Sequence, residues 1–392
     1  MNRHLTLITS LLLAASAFGT ANQPEQKECP PTPCCKPAPQ KECPPAPCCD
    51  PLPQIKLVPG YNAPARVETC DSWDVYTGAS FIYWQARQDD MELCASDVST
   101  SGFPFLGGAG SKTTGSIINH DFTYKPGFKI LAGVNFNHDH WEGYAEYTWF
   151  SSTTHSSATR ETPTSDNPGV ALSPLNGNPR LLPLFTFNTG KQTWDLSFQS
   201  LNTVLARAHY VGEKLIFRTI FGPKFVWISQ KKQQHFIGDG TSGSFNATFD
   251  EKQNFAFWGA GLLAGLDTSW MLGKGFRIIG DGSVDLLYTR VQTTNAKQMR
   301  SAAGTSSTIF AFPDARPDFL MPHADLEFGF GWDSYFNDHA YHVDLLATYG
   351  FQVFWGANLF RHFNDNVQPA NSNLLNGNLY LHGLTAAVKI DF

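Results

Sequence analysis

Beyond Pro64 apolar and polar positions alternate with a period of two, the signature of a strand whose successive side chains point to opposite faces of the pleat. The last residues show it most clearly. Tyr380, His382, Leu384, Ala386, Val388, Ile390 and Phe392 share one face, and Gly383, Thr385, Ala387, Lys389 and Asp391 share the other. Nine earlier runs repeat the pattern, near residues 73–86, 126–136, 141–150, 193–210, 215–228, 254–271, 276–291, 319–333 and 340–354. In the fifth, Pro223 falls on the apolar face, where its missing N–H predicts a bulge.

The connections alternate long and short. Polar stretches at 87–121, 151–192, 229–253 and 355–378 are separated by brief turns near 137–140, Gly212, Gly273 to Gly275 and 337–339. Ten runs with one side of short turns and one of long loops fit a closed transmembrane antiparallel β-barrel, with long extracellular loops and both termini periplasmic. Two more strands hidden in the long loops would make twelve. A soluble sandwich would bury the apolar faces between sheets but would not explain the regular loop alternation.

Composition agrees. With 42% hydrophobic, 14% aromatic and only 16% charged residues, the chain still lacks, past its amino terminus, the run of roughly 20 apolar residues that a membrane-spanning helix needs. Tryptophans and a tyrosine at run ends (Trp141, Trp149, Trp227, Trp258, Trp332, Tyr341) suit interfacial girdles. A net charge of -6 without a basic cluster gives no reason to expect nucleic acid.

Residues 1–21 read as a secretory signal, with an apolar core at 5–17 and a small-residue cleavage site, so the cysteines would meet an oxidising compartment. Residues 22–69 form a Cys/Pro-rich segment. Within it KECPPTPCCKPAPQ (27–40) is followed by KECPPAPCCDPLPQ (41–54), a tandem repeat of 14 residues. So much proline predicts an extended, disordered periplasmic segment. Cys29, Cys34, Cys35, Cys43, Cys48 and Cys49 are candidates for disulfides between repeats or between molecules, with a thiolate metal site as the rival. Cys70 and Cys94 flank the first run and are expected to pair with each other or to join that network. The barrel would then occupy 70–392.

On this register the lumen receives Glu142, Glu146, Asp281, Asp285, Asp325, Glu327, Asp344 and Asp391 against Lys129, Arg207, Arg218, Lys224, Arg277 and Lys389. These are the pore-lining candidates, and the slight acidic excess implies a mild cation preference. The same charges could equally form an internal pairing network. Ten strands enclose little space, so an open lumen would rely on Gly133, Gly222, Gly259, Gly261 and Gly329. His323 with Asp325 and His342 with Asp344 could activate water, but His-x-Asp spacing on alternating strands arises readily by chance. His138, Asp139 and His140 read as a solvated turn rather than a metal site. No enzyme activity, metal or cofactor is expected.

The ending on Phe392 resembles the terminal strand of bacterial outer-membrane barrels, in which the last Phe is an assembly signal. The opening strand Trp73-Asp74-Val75-Tyr76-Thr77-Gly78-Ala79 with Tyr83-Trp84, the Gly127-Phe128-Lys129-Ile130 segment, the stretch from Trp141 to Trp149 and the ending from Gly383 to Phe392 resemble the pore-forming major outer membrane protein family of Legionella, shared by chlamydia-related bacteria. That resemblance implies an outer-membrane porin passing small hydrophilic solutes or ions, with outer-membrane lipid and the barrel-assembly machinery as partners. The Cys-Pro repeats depart from the Legionella members. They resemble instead disulfide-linked chlamydial envelope proteins, which implies self-association and cross-linking. The alternative is a closed barrel serving as an envelope scaffold, or as an adhesin through its loops.

Overall fold

A computed structural model describes residues 63–70, 73–100, 113–136, 138–160, 172–175, 185–240, 246–302, 305–313, 318–363, 372–374 and 377–392. The secretory signal and the Cys/Pro repeats lie outside the described residues. Ten strands, in chain order, make the barrel: β1 Val75–Gln88, β2 Tyr124–Asn135, β3 Glu142–Thr159, β4 Phe185–Tyr210, β5 Leu215–Gly240, β6 Asn246–Gly273, β7 Phe276–Ala302, β8 Asp318–Phe336, β9 Tyr341–Phe354 and β10 Leu379–Asp391. Each is antiparallel to the next, and β10 returns to β1 with Ala386 opposite Phe81, so the sheet has no free edge within the barrel. The fold is therefore a closed ten-stranded antiparallel barrel, as the alternation predicts.

The expected apolar face is the outer one. Leu262, Phe330, Phe328, Leu320 and Val284 are all more than 60% exposed, on a surface that would be untenable in water. Aromatics gather in two bands on this surface. Trp141, Trp270, Phe276, Trp332 and Tyr341 lie near the end where β1 begins and β10 ends, here the terminal end, and Tyr83, Trp149, Trp227, Trp258, Tyr288 and Tyr349 lie toward the other. Tight turns of left-handed residues (Asp139 and His140; Lys274 between Gly273 and Gly275; Asn337, Asp338 and His339) close three of the four hairpins at the terminal end.

Three sequence expectations change. The stretches 151–159, 185–192, 229–240 and 246–253, read as polar loop, are instead the far halves of long strands, and β7 likewise runs on past the expected 291 to Ala302. Their polarity is compatible with strand because they ladder against one another, for example Ser157 with Lys191 and Glu251 with Gln234. Pro223 makes no bulge. The β4–β5 ladder omits the pairs around it but resumes in the same register, Asn202 with Lys224 and Leu205 with Phe221. The step is made by Gly222, whose backbone lies so close to Thr203 that a Cβ there would fall on the Thr203 carbonyl oxygen. The third change concerns the cysteines. Cys70 is disulfide-bonded, but not to Cys94, which is a free thiol with no exposed surface. They sit at opposite ends of the barrel, since Cys70 N–H bonds to the His339 carbonyl of a terminal-end turn while Cys94 follows the full length of β1. Burial pushes the Cys94 thiol up to about 11, so it is protonated and inert.

The Gly222 approach gives a direct test. Gly222→Ala should cost about 1–3 kcal/mol through overpacking, whereas Gly350→Ala, whose Cβ would meet nothing nearer than 3.8 Å, should cost little. Urea midpoints of the refolded barrel, followed by the heat-modifiable gel band, measure both.

Candidate functional site: the barrel lumen

The lumen is layered. At the terminal end, inward positions of the strands carry ions because lipid occupies the other face. They line a chamber of about 540 Å³, over whose mouth Ala65, Arg66 and Val67 lie. Arg218 binds Glu142 at 2.5 Å and Asp267 at 2.6 Å and stacks over the Tyr144 ring. Tyr76 O–H donates to Glu142 at 2.9 Å. Arg277 holds Asp333 and Asp344 together. Asp391 forms an ion pair with Lys389 at 3.0 Å and hydrogen-bonds His342 Nδ1 at 2.9 Å. Lys129 reaches Glu327 at 3.7 Å. Carboxylates still exceed cations here, and Asp281 Oδ1 and Asp325 Oδ1 make no hydrogen bond with the described residues.

Above the chamber Lys224 Nζ and His323 Nδ1 converge on Asp285 Oδ2 at 2.9 and 2.6 Å, and all three side chains are essentially enclosed. The Phe354 ring lies 4.0 Å from His323. The next layer is apolar: Ile82, Trp84, Phe150, Phe198, Val226, Ile228, Phe255, Phe257, Leu287, Val291 and Met321 fill the cross-section.

A strap completes that layer. Residues 355–361, after β9, fold inward instead of looping away, burying Ala357, Leu359 and Phe360, with Phe360 4.9 Å from Phe255. Polar bonds pin it. Asn358 Nδ2 donates to the Asp89 carbonyl at 2.9 Å and Asn358 N–H to the Gly377 carbonyl at 3.0 Å. Gln253 accepts from Arg361 N–H at 2.7 Å and donates to its carbonyl at 2.8 Å.

Beyond it is a row set by cross-strand register, Gln192, Gln234, Glu251 and Gln298 on β4 to β7, with Lys232 beside it 5.0 Å over the Phe360 ring, and farther out a second apolar cluster around Phe187, Phe236 and Phe249. At the row His120, between Thr154 Oγ1 at 2.7 Å and Ser156 Oγ at 2.9 Å, is pushed down to about 4 by burial and stays neutral.

Sequence reasoning located the charged chamber: Glu142, Glu146, Arg218, Lys224, Arg277, Asp281, Asp285, Asp325, Glu327, Asp344 and Lys389 all project inward. Arg207 does not. On β4 the even-numbered positions Asn202, Val204, Ala206 and Ala208 face the lumen and Arg207 is exposed on the outer wall near the terminal end, where a long cation can reach the interface. His323 pairs with Asp285 rather than Asp325, and His342 with Asp391 rather than Asp344, so the two sets stay in separate clusters. The glycines do not widen the lumen, since the Tyr76 ring occupies the space over Gly133 and Leu287 packs on Gly259. Sequence reasoning missed the apolar layer and the strap. The layer's signal is the loss of alternation where both faces turn apolar, as in Phe225-Val226-Trp227-Ile228 and Phe255-Ala256-Phe257-Trp258; the strap has none.

A closed antiparallel barrel with a lipid-facing band, aromatic girdles and an ionic interior defines an integral outer-membrane β-barrel. The chain belongs to the family described as the Legionella pneumophila major outer membrane protein precursor, whose pattern matches residues 66–392. Among solved structures, the Pseudomonas putida toluene transporter TodX aligns over 82% of this chain and 90% of its own at 10% identity, with a TM-score of 0.30. A Pseudomonas aeruginosa FadL homologue aligns over 81% and 89% at 10% identity, with a TM-score of 0.24. No curated protein sequence matches.

Two outcomes follow. Lys224→Met should destabilise the barrel by about 3–5 kcal/mol by removing the cation from the enclosed Asp285 and leaving it His323 alone, and Lys224→Met with Asp285→Leu should recover most of the loss, read as urea midpoints in lipid. The His120 pKa lies below that of the unfolded chain, so stability is full above about pH 6.5 and falls as the pH drops toward 4. His120→Asn should flatten that part of the pH–stability curve.

Proposed function

We propose that this chain is a gated porin of the outer membrane, passing small hydrophilic solutes or ions with a mild preference for cations. The observation that carries this reading is the chamber: a polar space inside the barrel whose carboxylates outnumber its cations, meeting an apolar constriction partly built from a detachable-looking segment rather than from strands alone. Hydrophobic constrictions gate pores by excluding water, and displacing the strap would join the chamber to the far side. Short turns at the terminal end and, at the other, connections that are long except at 241–245 support an orientation with both termini periplasmic. As part of this reading, cysteines of the Cys/Pro repeats cross-link the molecule in the envelope; the disulfide at Cys70 lies within the chain and leaves that part of the reading to experiment. We assign it no reaction, because each candidate histidine is held by a carboxylate within a packed cluster.

The second reading, a closed barrel acting as an envelope scaffold or adhesin, is favoured by one observation, the packed cross-section itself. Planar-bilayer conductance separates the two. The refolded barrel should give rare discrete steps, unchanged when residues 22–62 are removed, with a reversal potential in a KCl gradient on the cation-selective side. Leu359→Ala with Phe360→Ala should raise the open probability at least tenfold. Silence from that variant, when its barrel is folded and heat-modifiable, would sink the pore and leave the scaffold.

A further inference from the structure

The outer wall has a feature that neither reading uses. Between β1, β9 and β10 the barrel surface is hollowed into a groove of about 490 Å³, walled by Arg87, Phe122, Tyr349, Phe351, Tyr380 and His382. These side chains lie on the outward positions of their strands or on the connection beside them, so the groove faces the membrane and not the lumen.

Its depth follows from the register. Arg87 is four residues beyond the girdle residue Tyr83 on β1. At about 3.3 Å per residue and a tilt of roughly 35–45°, that places it about 10 Å above the aromatic band, at the level of lipid headgroups and their phosphates.

The chemistry is selective for a particular headgroup. Arg87 is exposed and makes no ion pair with any described residue; its guanidinium lies 5.8 Å over the Phe122 ring. The neighbouring Asp89 is occupied, its Oδ2 accepting from Asn378 N–H at 3.0 Å and Tyr380 O–H at 3.3 Å. His382 Nδ1 is bonded to Tyr349 O–H at 2.7 Å, which fixes both rings. Phe351 and Tyr380 stand 6.0 Å apart as a second aromatic pair. A planar cation with its fork of donors uncommitted is suited to bidentate phosphate, and flat aromatic faces beside it suit a sugar ring. Below the groove the outward Leu384 and Phe81 continue an apolar track along which acyl chains can run.

We propose that this groove binds a phosphorylated glycolipid of the outer leaflet, with Arg87 holding the phosphate and the Tyr380 and Phe351 rings holding the sugar. The leaflet assignment rests on the orientation proposed above; the binding chemistry does not.

The test is titration of the refolded barrel in neutral detergent with lipid A, followed by native mass spectrometry. One lipid A should be retained per barrel. Retention should weaken about tenfold for Arg87→Ala, for Tyr380→Ala and for dephosphorylated lipid A, and be partly kept in Arg87→Lys. Phosphatidylglycerol should bind at least tenfold more weakly than lipid A. Equal retention by wild type and Arg87→Ala, equal retention of phosphatidylglycerol, or no retention by wild-type barrel with its heat-modifiable band intact would each overturn the site. Labelling of a tag inserted at 241–245 on intact cells reads the orientation separately, so a failure there leaves the detergent result standing and removes only the leaflet assignment.

Discussion

Backbone hydrogen bonding in lipid is the constraint on which the rest of this structure depends. A strand in hydrocarbon has no water to satisfy its N–H and C=O groups, so the sheet must close on itself. Here closure is the β1–β10 ladder running from Leu379 opposite Gln88 to Asp391 opposite Tyr76. An antiparallel closure between first and last strands forces an even count and brings both strand ends to one side. It also dictates the side-chain code, because lipid takes one face of every strand and the other must fill a small tube. Even Pro223 obeys it: its ring points outward where it needs no partner, and the flanking Gly222 absorbs the close approach to Thr203.

Ten strands make that tube narrow enough for side chains to meet across it. The chain resolves the crowding in two different ways along the axis. At the terminal end, charges pair around the chamber, with Arg218 and Arg277 each joining two carboxylates. Farther along, Lys224, Asp285 and His323 form an enclosed polar floor, and above it the filling is aromatic and aliphatic. A buried ionic trio stabilises little by itself, since desolvation offsets much of the Coulomb gain. Its position between chamber and apolar layer instead fixes how deep water can reach.

How much of this could be read from sequence depended on which face carried the signal. The outer face was legible because lipid demands apolar side chains at every second position, as in Leu320, Ala324, Leu326, Phe328, Phe330 and Trp332, and that fixed the strand count, the order and the inward place of Asp325 and Glu327. Strand ends were not legible beyond the membrane, because Ser152, Thr154 and Ser156 have water-like polarity yet ladder and turn inward. Arg207 was misplaced for a related reason. Inward Val204 and Ala206 are apolar and outward Arg207 is charged, which inverts the rule at the interface, where a cation can reach headgroups. The strap was invisible because its closure depends on contacts hundreds of residues apart in sequence, such as Asn358 with Asp89.

The strap's attachments bear on whether such a barrel can open at all. Its apolar contribution to the constriction is chiefly Leu359 and Phe360, and burying side chains of this kind is worth about 1.5–3 kcal/mol each. Its polar bonds to Asp89, Gly377 and Gln253 can be exchanged for bonds to water and so add roughly 1 kcal/mol apiece at most. Displacement from the apolar contacts alone then costs about 3–6 kcal/mol, a population of roughly one in a hundred to one in several ten thousand. By contrast, opening the lumen through the strands themselves would break the ladder that lipid requires. The strap is therefore the larger part of the described constriction, beside Met91 on the β1–β2 connection, whose movement leaves the strand ladder intact. Any conduction through this fold must be rare, brief and sensitive to the side chains of the β9–β10 connection.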